Sequence, residues 1–340
     1  MHKICVIPGD GVGPEVTDSA LTILECLDVP LSIEKTQVGL ESYERSGAYL
    51  TDGALEMASE ADAILFGSLT TPRDPNYVSP LLLMRWNLDL YANVRPARCL
   101  NPEFCLSPLD VIIVRENTEG LYGAVERELD DGKIVTERTL SEDGCKRIVE
   151  FAFKYTIARK RKKVSCIHKA NVLRTSDEMF RKLFYGSAVN YAFYEKIKSD
   201  DYLVDATAMY LAKEPERFDV IVTLNLYGDI LSDEAAGLTG GLGFAPSANI
   251  GDEHALFEPI HGSAPDIANM DIANPTGSIL SAAMMLDHLG FLDRAQMIHD
   301  AINLVYSDKN RWTKDIGGRC GTEEFTWHVK NEIEKMAAVR

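Results

Sequence analysis

The sequence lacks the features that mark a membrane protein or a small protein held together by disulfides. Its longest apolar stretch, near residues 279–286, ends at Asp287 and is far short of the roughly 20 residues that cross a bilayer. The 7 cysteines include no Cys-x-x-Cys pair, and their odd number and scattered positions disfavour a zinc site or a disulfide framework. We therefore expect buried free thiols in a cytoplasmic protein that does not bind membranes.

Positive charge is also scarce. The chain carries 35 Lys and Arg against 52 Asp and Glu, a formal net charge of −17 at pH 7. This balance disfavours nucleic acid as a partner, although a local group of arginines can still bind a small anionic substrate. One basic block, residues 159–163, ends a predicted helix over residues 142–160, and we interpret it as a solvated helix end.

The remaining composition is typical of a globular enzyme with about two domains. Of the 340 residues, 46% are apolar and 26% charged. Short apolar runs alternate with amphipathic runs, as at residues 4–7, 14–26 and 63–66, which predicts an α/β protein with a largely parallel sheet. Residues 122–139 alternate around Asp130-Asp131-Gly132, which predicts a β-hairpin. The pattern does not distinguish a surface hairpin from an arm that contacts a partner subunit.

Two loops could bind a cofactor. Gly9-Asp10-Gly11-Val12-Gly13-Pro14 lies between a predicted strand and a predicted helix, but Pro14 replaces the third glycine of the dinucleotide-binding fingerprint. We therefore interpret it only as a tight loop at the carboxyl edge of the sheet. Further on, Ser263 and Asp266 resemble a capping box, which predicts a helix N-terminus that could bind cofactor phosphates.

Three arginines, Arg85, Arg95 and Arg115, lie in or beside apolar segments. Arginine is suited to bidentate recognition of carboxylates. Because Arg115 follows the apolar run 111–114, its charge needs a partner, which is either Glu116 or another internal acid, or a substrate. Together the three arginines favour a pocket for a di- or tricarboxylate.

Carboxylates and a lysine complete the candidate chemistry. A helix beginning near Gly228 would place Asp229 and Asp233 on one face. Such a pair is either a solvated acidic face or a set of oxygen ligands for Mg²⁺ or Mn²⁺, and the apolar neighbours favour the metal. Lys169 follows another apolar strand and is a candidate base if it is desolvated.

Six motifs, in this order, resemble those of the β-decarboxylating dehydrogenases, the family of isopropylmalate, isocitrate, homoisocitrate and tartrate dehydrogenases. They lie at residues 9–15, 91–96, 115–122, 168–171, 229–233 and 261–274. The resemblance implies that family's two-domain α/β fold with a β-hairpin arm, rather than a standard Rossmann fold. It implies a discontinuous cofactor-binding domain, 1–94 plus 239–340, and a dimerisation, metal and substrate domain, 95–238, with the arm at 122–139. It also implies a homodimer or homotetramer with shared active sites.

The resemblance implies a role for each matching residue. The catalytic residues would be Tyr122 as the late proton donor, Lys169 as the base that takes the hydroxyl proton, and Asp205. Lys169 and Asp205 would act in the partner subunit's site. The metal ligands would be Asp205, Asp229 and Asp233, for Mg²⁺ or Mn²⁺. The substrate-binding residues would be Ser79, Leu81, Leu82, Arg85, Arg95, Arg115, Tyr122, Lys169 and Asn171. The cofactor-binding residues would be Glu258, His261, Gly262, Ser263, Ala264, Asp266, Ile267 and Asn274.

The cofactor loop indicates NAD. Asp266 and Ile267 stand where NADP-using relatives carry a lysine and a tyrosine. A carboxylate at this place can accept hydrogen bonds from the ribose hydroxyls and would repel a 2′-phosphate.

The resemblance implies oxidative decarboxylation of a 3-substituted malate, and the sequence gives mixed signals about which one. Leu81 and Leu82 match the paired leucines of isopropylmalate enzymes, but Val78 replaces their usual glutamate. Ser79 matches the serine with which isocitrate enzymes hold a third carboxylate. Residues 76–80, 163–169 and 201–209 look most like archaeal homoisocitrate dehydrogenases. We therefore expect conversion of homoisocitrate to 2-oxoadipate, and of longer homologues.

The alternatives are isopropylmalate and then isocitrate as the substrate. A carboxylate-binding regulatory subunit is the non-enzyme alternative, which the complete set of base, acid and metal ligands disfavours.

Overall fold

The computed structural model describes residues 1–74 and 77–339 of the chain, so Asn76, in one of the substrate motifs, lies outside the described residues. The strands are β1 (His2–Gly9), β2 (Leu31–Lys35), β3 (Ala63–Ser68), β4 (Ala92–Arg98), β5 (Asp110–Glu116), β6 (Gly120–Glu128), β7 (Ile134–Thr139), β8 (Lys163–His168), β9 (Lys198–Leu203), β10 (Val220–Thr223), β11 (Pro246–Ile250) and β12 (Ala255–Pro259). The helices are α1 (Gly13–Glu25), α2 (Leu40–Ser46), α3 (Asp52–Ser59), α4 (Pro80–Asn87), α5 (Glu142–Ala158), α6 (Ser176–Tyr194), α7 (Val204–Lys213), α8 (Asn225–Leu238), α9 (Thr276–His288), α10 (Leu292–Tyr306) and α11 (Thr322–Val339). Within these ranges no helix combines the length and the apolar character that a membrane crossing requires.

The first of two compact units comprises Met1–Asp89, Leu100–Cys105 and Gly240–Arg340. Its strands lie in the order β2-β1-β3-β12-β11. All these neighbours are parallel except β11, which runs antiparallel to β12. The strand β3 is buried along its whole length, as is usual for a parallel strand whose two faces are both covered. The helix α9 packs against β11 and β12 and is buried over most of its residues.

The second unit comprises Leu90–Cys99 and Leu106–Thr239. Its strands lie in the order β4-β5-β10-β8-β9, with β4 antiparallel to β5 and the other pairs parallel. The carboxyl ends of β5, β10, β8 and β9 therefore meet at one edge of the sheet, which is where open α/β sheets bind ligands. Behind this edge lies a core that includes Ile113, Ile221 and Leu231.

The predicted hairpin is confirmed. The strands β6 and β7 form a separate antiparallel pair, and Gly132 takes a positive φ of 75° at the turn. A side chain caps α5: the Ser141 hydroxyl accepts a hydrogen bond from the Gly144 amide at 2.9 Å.

Three details differ from expectation. The sheet is largely parallel as predicted, but the pattern did not predict that β4 and β11 run antiparallel. Cys99 and Cys105 are disulfide-bonded, so the prediction of free thiols was wrong for these two; the other five cysteines are free. In the basic block, Arg161 pairs with Asp110 and Asp219, and Lys163 pairs with Asp200, so the interpretation of a merely solvated helix end was wrong for both.

Candidate active site

Arg115 forms the centre of a polar cluster at the carboxyl edge of the second unit. It is the second-last residue of β5, and 1% of its surface is exposed. Its Nε and Nη2 donate to Oδ1 of Asn225 at 3.1 and 2.7 Å, and its Nη1 donates to Oδ1 of Asp229. The internal acid that pairs with Arg115 is therefore Asp229. Glu116 accepts instead from the backbone amide of Thr118.

The helix α8 brings these partners to Arg115. It begins at Asn225, three residues earlier than predicted, and Asp229 and Asp233 share a face as expected. A Cβ atom added to Gly228 would lie 2.6 Å from Cγ of Arg115, so glycine is needed for this close approach. Neither Asn225 nor Gly228 had an expected role in the site, since both precede the acidic motif at residues 229–233.

Arg95 reaches the same carboxylate from β4. Its Nη1 lies 3.1 Å from Oδ1 of Asp229, 2.8 Å from Oγ of Ser232 and 3.6 Å from Oδ1 of Asp233. Its Nε donates to Oδ1 of Asn93 at 2.5 Å. Two buried guanidinium groups thus share one oxygen of Asp229.

Tyr122 completes the cluster from β6. Its hydroxyl donates to Oδ2 of Asp229, and its ring centroid lies 4.8 Å from Cζ of Arg115. Burial raises the pKa of Tyr122, and the bond to Asp229 acts in the same direction against the opposing charge of Arg115. The phenol therefore keeps its proton at neutral pH and can serve as a proton donor.

Lys169 and Asp205 form a second polar pair in this unit. They follow the neighbouring parallel strands β8 and β9, and Nζ of Lys169 donates to Oδ1 of Asp205. This hydrogen bond lowers the pKa of Asp205, whose side chain is 65% exposed. Asn171, two residues beyond Lys169, is exposed.

The fully buried carboxylate of Asp177 holds the Lys169 loop in place. It accepts from the Lys169 backbone amide at 2.7 Å, from Arg138 on β7 at 2.7 Å and from the Tyr227 hydroxyl on α8 at 3.1 Å. Asp177 was not predicted as a site residue, because its partners Arg138 and Tyr227 lie 39 and 50 residues away along the chain.

The donor chemistry of the acidic face fits a hard divalent cation. Asp229 and Asp233 offer carboxylate oxygens, the ligands that Mg²⁺ and Mn²⁺ prefer. Burial raises the pKa of Asp233, and repulsion from Asp229 adds to this, which a cation between them would relieve. Among the described residues, Asp205 does not join these two in a compact ligand group.

In the first unit, Arg85 and Glu258 form a buried ion pair. Nη2 of Arg85 lies 3.1 Å from Oε1 of Glu258, and Asn249 bonds to both residues. Ser79 precedes α4 and makes no capping hydrogen bond with its side chain. Leu81 and Leu82, in the first turn of α4, are half-buried.

The predicted helix at Ser263 to Asp266 was wrong. The chain forms successive turns there, and the next helix, α9, begins only at Thr276. Ala264, Asn269 and Asp271 take positive φ values of 36°, 60° and 53°, which a right-handed helix does not allow. Residues 263–266 therefore provide no helix N-terminus that could bind the cofactor phosphates.

The glycine-rich loop supports this segment. The Val12 amide donates to the Ser263 carbonyl oxygen at 2.8 Å. Gly11 has a φ of 62°, and a Cβ atom there would lie 2.0 Å from the same oxygen. Ile267 packs on the apolar cluster of Val12 and Val16. The segment from Ser263 to Ile267 is therefore held by a backbone hydrogen bond at one end and by apolar packing at the other.

His261 and Asn274 differ in whether their side-chain polar atoms already have hydrogen-bond partners. Burial lowers the pKa of His261, and its Nε2 is buried without a hydrogen-bond partner among the described residues. An unpartnered buried nitrogen fits a polar atom of a nucleotide cofactor. Asn274 already donates to Asp315 at 3.0 Å and caps α9 at the Thr276 amide at 3.0 Å. Gly262 and Asp266 are exposed.

Comparison with known proteins agrees with this architecture. The isocitrate/isopropylmalate dehydrogenase family model matches residues 3–329. A 3-isopropylmalate/3-methylmalate dehydrogenase of Methanocaldococcus jannaschii is 46% identical over 98% of this chain and 100% of its own. A homoisocitrate dehydrogenase of the same organism is 47% identical over 98% of this chain and 99% of its own. The crystal structure of isocitrate dehydrogenase from Methylococcus capsulatus matches with a TM-score of 0.93 and 40% identity, over 98% of this chain and 99% of that one.

These similarities confirm the predicted family, fold and enzyme class. The family's enzymes generally use NAD(P) and a divalent metal, and they are typically oligomeric. The chain belongs to the isocitrate/isopropylmalate dehydrogenase family, and it is a β-decarboxylating dehydrogenase that acts on a hydroxy acid.

Proposed function

We propose that the enzyme is an NAD-dependent homoisocitrate dehydrogenase, which produces 2-oxoadipate and CO₂ and also accepts longer homologues. The observation that carries the carboxylate chemistry is the convergence of Arg95 and Arg115 on Oδ1 of Asp229. Two buried cations on one carboxylate oxygen form a preorganised carboxylate site.

In this proposal a substrate carboxylate takes the place of Asp229 between the two arginines. Arg95 is held by Asn93 and Ser232, and Arg115 by Asn225, so neither guanidinium must reorganise when the partner changes. Asp229 is then available, with Asp233, as a cation ligand.

Lys169 and Tyr122 are proposed to transfer protons. When bound, NAD⁺ would supply a hydride acceptor, and Mg²⁺ or Mn²⁺ held by Asp229 and Asp233 would supply Lewis-acid chemistry. Lys169 takes the hydroxyl proton as a neutral amine, after its ion pair with Asp205 has separated and its ammonium group has lost a proton to solvent. Tyr122, with its raised pKa, donates its proton to the carbon that has lost CO₂.

Lys169 and Asp205 are proposed to act in the site of a partner subunit. Their pairing with each other, away from Asp229 and Asp233, supports this proposal, as does the exposure of Asp205. The active sites of a homodimer or homotetramer would then be shared.

The start of α4 is proposed to select the substrate. The Ser79 hydroxyl makes no capping hydrogen bond to α4. It would donate a hydrogen bond to the third carboxylate of homoisocitrate, beside Leu81 and Leu82. Val78 is 47% exposed. Because valine is uncharged, no side-chain charge at this position opposes that carboxylate. The names of the two relatives from Methanocaldococcus jannaschii leave isopropylmalate as the second candidate.

The decisive test compares kcat/KM for homoisocitrate, isopropylmalate and isocitrate with NAD and Mg²⁺. We expect homoisocitrate to give the highest value. In Ser79→Ala we expect the value for both tricarboxylates to fall about 10- to 100-fold, because a hydrogen bond to a charged group contributes about 1.5–3 kcal/mol. Isopropylmalate should be nearly unaffected.

Ser59→Ala, at the exposed end of α3, is the matched control and should leave kcat/KM unchanged for all three substrates. A higher value for isopropylmalate would establish the alternative substrate. Absence of NAD reduction with all three substrates would contradict the proposal.

A further inference from the structure

A group of three metal-ligating side chains lies outside the candidate active site. Cys320 precedes α11 by two residues, and Glu324 and His328 follow on successive turns of that helix. One ligand atom from each side chain lies within 4.8 Å of the other two. We propose that Cys320, Glu324 and His328 bind a transition-metal ion of the Zn²⁺ type.

The spacing of the three residues produces this arrangement. Glu324 and His328 are four residues apart and share one face of α11. Cys320 is fixed on that side because its backbone amide donates to the Trp312 carbonyl oxygen at 3.0 Å. Its Sγ lies 3.6 Å from the Asn310 carbonyl oxygen. The thiol is therefore positioned by the backbone rather than by a flexible loop.

Burial and charge are compatible with an ion. Cys320 is 1% exposed, the His328 side chain 18% and the Glu324 side chain 61%. Glu324 can therefore turn toward the ion without leaving a packed position. The nearby cation Arg311 bonds to Glu332 at 2.9 Å and Asp308 at 3.3 Å, so its charge is compensated.

The donor set selects the class of ion. A thiolate, an imidazole and a carboxylate suit Zn²⁺ or Co²⁺, whereas Mg²⁺ prefers oxygen ligands alone. Three protein ligands leave a fourth position for water. The bound ion would tie the start of α11 to the turn that carries Asn310.

The test uses the full chain with its native disulfide intact. The chain is stripped of metal with a chelator and titrated with Co²⁺ in excess Mg²⁺. The Mg²⁺ occupies all-oxygen sites, and only a site with a thiolate ligand gives sulfur-to-cobalt charge-transfer absorption. We expect this absorption to saturate at one Co²⁺ per chain and to disappear when Zn²⁺ displaces Co²⁺.

Cys320→Ser should abolish the absorption, and His328→Gln should weaken Co²⁺ binding at least tenfold. His328→Gln keeps the thiol and changes a helix surface, so it tests the site even if Cys320→Ser does not fold. Cys26→Ser, which removes a half-buried thiol elsewhere in the same unit, is the matched control and should bind like the wild type.

The absence of charge-transfer absorption in the wild type would overturn the proposal and leave a hydrogen-bonded cluster without a metal. Absorption that persists in Cys320→Ser would overturn it too. Neither result bears on the dehydrogenase reaction, because none of these residues belongs to the candidate active site.

Discussion

Arg115 carries a buried charge that is hydrogen-bonded to Asn225 and Asp229, both on α8. In Arg115→Lys a single ammonium replaces a fork that reaches both Asn225 and Asp229. We expect the free energy of unfolding to fall by about 2–4 kcal/mol, since the amide and the carboxylate lose buried partners. Urea denaturation measures this loss.

The control for Arg115→Lys is Arg127→Lys. Arg127 pairs with Glu137 on the hairpin, and both side chains are more than half exposed. Exposed ion pairs contribute little, so this change should stay within about 0.5 kcal/mol. Equal losses in the two variants would contradict the account of Arg115.

The sequence showed that Arg115 needs a partner, but it could not show which one. Asn225 lies 110 residues further along the chain, and only the parallel pairing of β5 with β10 brings it close. The roles of Gly228 and Asp177 were hidden for the same reason. Gly228 lies against Arg115, which is distant in the sequence. Asp177 binds Arg138 and Tyr227, which lie 39 and 50 residues away along the chain.

Asp266 is the residue proposed to discriminate NAD from NADP. It lies exposed in a turn rather than at a helix start, so a helix-capping role no longer competes with the ribose interpretation. In Asp266→Lys we expect kcat/KM for NAD to fall about 10- to 100-fold, because hydrogen bonds to a charged group contribute about 1.5–3 kcal/mol. The value for NADP should rise.

Adding Ile267→Tyr should strengthen the switch toward NADP but lower the melting temperature. Ile267 packs on Val12 and Val16, and overpacking costs about 1–3 kcal/mol. Glu44→Lys, an exposed charge reversal on α2, controls for general electrostatics. An unchanged ratio of NAD to NADP activity in Asp266→Lys would mean that the adenosine pocket lies elsewhere.

At the scale of elements, α8 contains two glycines that should respond in opposite ways to alanine. Gly228→Ala places a Cβ atom 2.6 Å from Cγ of Arg115, whereas Gly237→Ala meets nothing within 4 Å. Alanine is favoured over glycine in helices by about 1 kcal/mol. We therefore expect Gly237→Ala to stabilise the protein by up to this amount.

Gly228→Ala should destabilise the protein despite the same gain in helix propensity, and it should lower kcat/KM because Arg115 must shift. Thermal unfolding of the two variants side by side measures the difference. A stabilising Gly228→Ala would show that α8 can move away from β5 without cost.

Periodicity predicted several elements of the fold but not the directions of the strands. The helices α1 and α5 begin and end within two residues of the predicted bounds. That β4 and β11 are antiparallel depends on connections that no local pattern encodes. The capping-box pattern at Ser263 failed because a tertiary hydrogen bond from Val12 holds that backbone out of a helix.

At the scale of the whole molecule, an exposed carboxylate and two exposed apolar side chains indicate contact with a second subunit. Asp205 bonds only to Lys169 among the proposed active-site residues, and its side chain is 65% exposed. On the hairpin, Val125 and Ile134 are 62% and 70% exposed. Exposed apolar side chains on this separate two-stranded sheet fit a contact with a second subunit, in a family whose members are typically oligomeric.

The shared-site proposal predicts complementation between inactive subunits. Lys169→Ala and Asp229→Ala should each abolish activity when expressed alone. In a mixed dimer, one site combines an intact Asp229 from one subunit with an intact Lys169 from the other, while the second site lacks both. Random mixing of two-fold symmetric dimers should therefore restore about a quarter of the wild-type activity per subunit.

The measurement follows NAD reduction after the two variants are mixed and allowed to exchange subunits, with exchange verified by mass or affinity tagging. Mixing Asp229→Ala with Asp233→Ala is the control, because both changes fall on the same subunit's contribution and each mixed site keeps one defect. Full exchange without recovered activity would place Lys169 and Asp229 in one subunit's site, and the ion pair of Lys169 with Asp205 would then have to open within a single chain.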